Sequence, residues 1–280
     1  MGKRKMTISE IEEMNYYDFM SYLGVQYFHI GGPRSTEEMA KLCHIDRTSK
    51  VLMVGCGSGF SACFLAKITG CYVIGIDIAE MPIKNARVRS IDERVEDRTE
   101  FITGDAYNLP FKEDSFDVVI TEFVSQFLDK ERAFGEFMRV LGPGAYAGIN
   151  EMYRDDDIEP HLKTKIDEAE ALFTEVTGLH FNMHTPEEWR YYFERAGFKD
   201  IEIHKHRPFE GFRDMLDTFR SMGGILNTTT LIVRMLKYMI LSKRIRARFS
   251  RLDKGKRILF NNKDTREHVG YILGIARKCP

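Results

Sequence analysis

The stretch Val51-Leu52-Met53-Val54-Gly55-Cys56-Gly57-Ser58-Gly59-Phe60 decides how the rest of this chain is read. Four apolar residues, two of them valine, form an unbroken run of the kind a strand shows when both of its faces are covered. Three glycines at alternate positions then predict a tight turn, and residues 61–67 have helical composition. The glycines therefore fall at a strand-to-helix junction, where backbone N–H groups and the positive helix end face a ligand. A second apolar run, 71–76, closes on Asp77. That acid lies about 20 residues past the glycines, where a carboxylate can accept both hydroxyls of a ribose. Alone, Gly-x-Gly-x-Gly is only a turn; with the strand, the helix and the acid it predicts a nucleoside site. A dinucleotide fingerprint needs a third glycine three residues after the second. Phe60 stands there and Gly59 comes one residue early, so a pyrophosphate is not expected and a nicotinamide dehydrogenase is disfavoured.

Working outward, residues 101–103 read as a third strand followed by Gly104-Asp105-Ala106, and 117–121 as a fourth ending on Glu122. In open α/β sheets the crevice outside the strand ends binds the ligand, so Asp105, Glu122, Phe123 and Gln126 are expected to face it. Asp129 caps a helix that stops at Leu141-Gly142-Pro143-Gly144. Residues 145–149 make a fifth strand ending in Asn150-Glu151, and Glu151 is a second candidate carboxylate at the mouth, or only a holder of loop backbone. Thr185-Pro186-Glu187-Glu188 starts a helix, and 199–204 form a sixth strand. Upstream, apolar spacing over 7–28 predicts one or two helices, His29 sits in a turn, and Ser35-Thr36-Glu37-Glu38 looks like a capping box. His29 is either a base facing substrate or a turn residue.

The chain resembles the class I S-adenosylmethionine-dependent methyltransferases, nearest the sub-group of ubiquinone, menaquinone and small-molecule methyltransferases. The resemblance rests on 51–59, Asp77, 104–111 and 116–122, and covers roughly 34–204 plus the last strand. It implies a Rossmann-like, seven-stranded, mostly parallel sheet with helices on both faces. It also implies S-adenosylmethionine as cofactor, held by Gly55, Cys56, Gly57, Ser58, Gly59, Asp77, Ile78, Asp105, Ala106, Glu122 and Phe123. Asp105 would take the adenine amino group. Family members often carry His near the Gln126 position, and this chain does not; Glu122, Glu151 and His29 are the ionisable groups left to act as base. The implied layout is an N-terminal helical lid (1–33), the core (34–206), an insertion (207–268) and the last core strand (269–280).

Net charge of −1 with 30% charged residues gives no global bias towards nucleic acid. The five cysteines form no CxxC pair, and the four that fall in predicted helix or strand beside apolar neighbours read as small buried hydrophobes of a reducing compartment. The triplet 155–157 reads as a solvated helix start rather than a metal site, because adjacent side chains cannot converge on one ion. No apolar h-region follows the basic start and no run of 18 apolar residues exists, so a cytoplasmic location is expected. The insertion departs from this ordinary balance: ten Lys or Arg against one Asp between 225 and 257, with apolar residues at helical spacing. Such a basic amphipathic segment predicts a lid, a homodimer contact or a peripheral membrane contact, and these stay open; without interleaved aromatic residues it does not predict nucleic acid binding. Two functions follow: methyl transfer to a small-molecule or lipid substrate, or non-catalytic cofactor binding with the insertion as an interaction surface.

Overall fold

The computed structural model describes residues 6–25, 29–207 and 224–279, with side chains from 228 onward in the last segment. The basic start at 1–5, Tyr27 and insertion residues 208–223 lie outside the described residues.

Seven strands form one sheet: β1 (Lys50–Val54), β2 (Tyr72–Asp77), β3 (Thr99–Thr103), β4 (Phe116–Glu122), β5 (Leu141–Arg154), β6 (Lys199–His206) and β7 (Val269–Arg277). Their order is β3-β2-β1-β4-β5-β7-β6, parallel except for β7, which runs antiparallel to both β5 and β6. The apolar run of β1 is explained by its central place. Val51 and Met53 enter one core with Val73, Val118 and Ile120; Leu52 and Val54 enter the other with Ile74, Ile76 and Val119. With both faces of β1 buried, neither can carry polar side chains. The chain reverses direction across the sheet at β1, between β2 and β4, and the crevice above that switch point is where such folds bind ligands.

Helices α1 (Ile8–Glu12), α2 (Tyr16–Leu23), α3 (Gly32–Leu42), α4 (Phe60–Thr69), α5 (Glu80–Asp92), α6 (Lys130–Val140), α7 (Pro160–Thr177) and α8 (Pro186–Arg195) surround the sheet. Between β6 and β7 come α9 (Gly224–Leu241), α10 (Lys243–Lys256) and the short α11 (Lys263–Arg266). Two smaller cores lie beyond the two faces of the central strands. One packs α7 with Phe181, Met183, Leu259 and Val269; the other packs Ile11, Met14, Phe19 and Leu23 of the N-terminal helices against Tyr238 and Ile245.

Several sequence expectations change. The capping box at Ser35 is absent, because α3 already starts at Gly32 on a left-handed Gly31 with Pro33 in its first turn. Ser35 and Thr36, inside the helix, point their hydroxyls elsewhere. Helix α6 does stop before Gly142-Pro143-Gly144, but β5 begins at Leu141 and not at 145: partners step from Phe116–Leu141 to Val118–Tyr146, so the Gly-Pro-Gly residues bulge out within a longer strand. Residues 155–157 do not begin a helix either. Asp155 accepts from Lys205 Nζ at 2.7 Å, and α7 starts later, at Pro160.

Candidate active site

A cavity of about 620 Å³ opens above the carboxyl ends of β1, β2 and β4, within the range of small-ligand sites. One end is polar and built by the opening glycine turn. Asp77 Oδ2 accepts the Gly57 N–H at 2.9 Å and its Oδ1 accepts the Ala79 N–H at 2.9 Å, so the β2 acid organises both loops. Burial raises its carboxyl above the usual range, against those two hydrogen bonds. Gly57 is left-handed at φ +53°, and a Cβ there would meet nothing within 4 Å: the residue opens onto the cavity. Gly59 serves packing instead, since a Cβ would come 2.7 Å from Ala86 Cβ of α5. Arg89 Nε donates to Ser58 O at 2.9 Å and pins the turn. Cys56 lines the cavity with a buried thiol pushed well up by desolvation, which removes it as a nucleophile.

Gly55, Ser58, Ile78, Asp105, Ala106, Glu122 and Phe123 also line the cavity. Ile78 is 76% exposed, an apolar side chain laid bare beside Asp77. Asp105 Oδ1 accepts the Tyr107 N–H at 2.9 Å. His29 and Glu122 are brought together although 93 residues separate them: Nδ1 stands 3.4 Å from Oε2, with both side chains buried. Thr36 Oγ1 donates to Glu122 Oε1 at 2.7 Å, while Oε2 makes no hydrogen bond to a described residue. His29 Nε2 lies 3.1 Å from Gly32 O.

Gln126 and Glu151 do not reach the crevice, and of the two alternatives for Glu151 the structure shows the holder of loop backbone. Gln126 does not face the cavity: it is 1% exposed, and a 3-10 turn at Ser125–Phe127 carries it inward. Glu151 does not stand at the mouth. It is fully buried, and its Oε1 accepts the Val124 N–H at 2.9 Å and the Ser125 N–H at 2.6 Å. Burial pushes its pKa up to about 7, against those backbone hydrogen bonds. What it braces is the turn after β4, where Phe123 adopts a left-handed φ of +60°, a conformation costing a non-glycine residue on the order of 1–3 kcal/mol. A Phe123 N–H to Asn150 O bond of 2.7 Å completes the brace.

The other end of the cavity is apolar. Phe123, Phe127 and Tyr17 line it, and Phe127 packs on Phe123, Tyr17 and Phe181 with centroids 5.7–6.1 Å apart. The N-terminal helices supply Asn15, Tyr17, Ser21 and Val25 as a wall, and the end of α7 supplies Thr177, Gly178 and Leu179. Sequence reasoning missed Asn15, Ser21, Val25 and all of 177–179. No local pattern marks them, because they reach the crevice only through the docking of distant helices. Asn85 Nδ2 donates to Ser21 Oγ at 2.8 Å and ties the N-terminal wall to α5.

Residues 52–149 match a family described as a methyltransferase domain. The chain is 37% identical over 119 residues to methyltransferase GfsG of Streptomyces halstedii, covering 42% of this chain and 43% of that protein. It is 36% identical over 116 residues to sterol 24-C-methyltransferase ERG6B of Gibberella zeae, covering 39% and 30%. The match thus spans less than half the length of either relative. Among solved structures, the [4+2]-cyclase SpnF superposes with a TM-score of 0.70 at 19% identity, covering 94% of this chain and 93% of that one, which shows the shared fold. With its strand order, its crevice and the domain match, residues 52–149 carry a methyltransferase domain of the Rossmann-like fold, the kind that takes S-adenosylmethionine as cofactor.

Proposed function

We propose that this chain transfers a methyl group by in-line displacement to a small, largely apolar acceptor. The observation that carries the reading is the two-ended cavity, with acid and glycine turn at one end and an aromatic wall at the other. The residues at the polar end fit the cofactor. Asp77 would hold the ribose, the open backbone at Gly57 the methionine portion, and Ile78 with Asp105 the adenine. When bound, S-adenosylmethionine supplies an electrophilic methyl group on a sulfonium that leaves as a neutral thioether.

The chain's own contribution is placement. Near-attack alignment of nucleophile and methyl group is worth about 7–11 kcal/mol in well-oriented systems. Phe123 and Tyr17 line the cavity as aromatic rings that can stabilise the cationic end of such a ligand. For an acceptor that must lose a proton, Glu122 Oε2 is the acceptor atom and His29 beside it the partner that orients it. The similarity to an enzyme named for a sterol supports an apolar substrate class.

The test is to incubate the protein with methyl-labelled cofactor and a soluble-plus-lipid extract, then partition the products. Label entering the organic phase supports the proposal, and a loss of turnover in a Glu122→Gln variant then assigns the base. Label confined to water-soluble products overturns the apolar class. Tight cofactor binding with no label transferred would leave the non-catalytic reading in its place.

A further inference from the structure

Helix α9 is apolar on both sides. Its inner side carries Leu231, Met235 and Tyr238 against the N-terminal helices. Its outer side carries Ile232, Val233, Leu236 and Ile240, which are 47%, 64%, 52% and 76% exposed. At 3.6 residues per turn these four fall within an arc of about 100°, roughly opposite the buried face. Leu241, at the end of the helix, is 53% exposed as well. A helix face this apolar needs a cover other than water.

The charge around the stripe says which cover. Lys237 borders it on the same helix, and Lys243 and Arg246 follow on the exposed side of α10; none of the three forms an ion pair with a described residue. No helix among the described residues is long and apolar enough to cross a membrane, and the inner face of α9 is already committed to protein. We infer that the outer face of α9 docks onto an anionic lipid surface, lying in the interface with Ile232, Leu236 and Ile240 in the acyl boundary and Lys237, Lys243 and Arg246 against lipid phosphates.

The location gives this surface a use. Helices α9 and α10 together hold the wall of the cavity: on α9, Tyr238 Oη lies 2.9 Å from Tyr22 Oη and Arg234 Nη1 donates to Leu23 O at 3.3 Å, and on α10, Arg248 Nη1 donates to Met14 O at 3.0 Å. Docking α9 sets the N-terminal wall beside the lipid from which an apolar acceptor would come. That delivery rests on the proposed function; the docking does not.

The experiment is flotation of the full chain with phosphatidylcholine vesicles, with and without phosphatidylserine, beside calorimetric titration with S-adenosylmethionine. The wild type is expected to float with the serine-containing vesicles and to bind about tenfold more weakly without the anionic lipid or at high salt. Ile240→Glu with Leu236→Glu should abolish flotation, and Lys237→Glu with Lys243→Glu should remove its dependence on anionic lipid, both with cofactor affinity unchanged. Hydrogen exchange of the wild type on vesicles, which needs no variant to fold, should show protection gained at 232–241. A wild type that stays unbound overturns the inference, as does flotation indifferent to the Ile240→Glu pair. A doubled mass in light scattering that the same pair halves overturns it too, assigning the stripe to a second copy. A collapse in stability of that pair without any flotation assigns it to the chain's own cover. Titration with cofactor fails independently of all these, so loss of the methyltransferase reading would be seen separately.

Discussion

Asp77 closes β2 half-buried and Glu151 lies fully buried within β5, and the two acids do opposite work. Asp77 keeps lone pairs towards the cavity while two backbone N–H groups hold it. Asp77→Asn preserves shape but removes the charge, and hydrogen bonds to a charged group are worth about 1.5–3 kcal/mol. S-adenosylmethionine affinity by calorimetry should fall roughly 10–100-fold. Glu151 is a positioning residue behind the turn. Its pKa is about 7 when folded against an ordinary 4.5, so between those values the folded state binds the extra proton and stability falls as pH rises. The penalty is complete above the folded pKa and absent below the unfolded one. Relative to wild type, Glu151→Gln should therefore gain stability as pH is raised from 5 to 8, on the order of a few kcal/mol at most and read as a relative rise in melting temperature. A constant difference across that range would refute the assignment.

At the scale of elements, the β1–α4 turn does two separable jobs. The open face at Gly57 is for ligand and the closed face at Gly59 is for α5. Gly59→Ala meets Ala86 at 2.7 Å while forcing alanine into φ +76°. Overpacking and left-handed backbone together cost roughly 2–4 kcal/mol, and a urea titration should show that loss without bound ligand. The N-terminal helices and α9 form a second functional pair. Replacing Tyr238 by Ala removes a buried ring and the Tyr22 contact, so residues 16–23 should exchange amide hydrogens faster while β1 and β4 keep their protection. Equal loosening of the sheet would refute the idea that this wall opens independently.

Over the whole molecule, the sheet, the N-terminal helices and α7 all contribute to one cavity, so cofactor should stabilise the chain globally. At a hundredfold excess over Kd the gain is about 2.7 kcal/mol, read as a higher melting midpoint, and Asp77→Asn should need proportionally more ligand to reach it. The nucleoside end of the site was legible in sequence because it is local: strand, turn, helix and acid fall within 27 residues, 51–77, and each reports its own backbone or burial requirement. The unbroken apolar strands likewise announced a sheet covered on both faces. Three things were decided only by tertiary packing. Glu151 became a buried brace because the turn after β4 folds down over it. His29 met Glu122 because α3 begins at Gly32 and carries the preceding turn onto β4. The apolar wall arose from Tyr17, Phe127 and Leu179, which are distant along the chain. Local periodicity records whether a side chain will be buried; which buried partners it meets depends on how elements dock, and no short stretch of sequence carries that information.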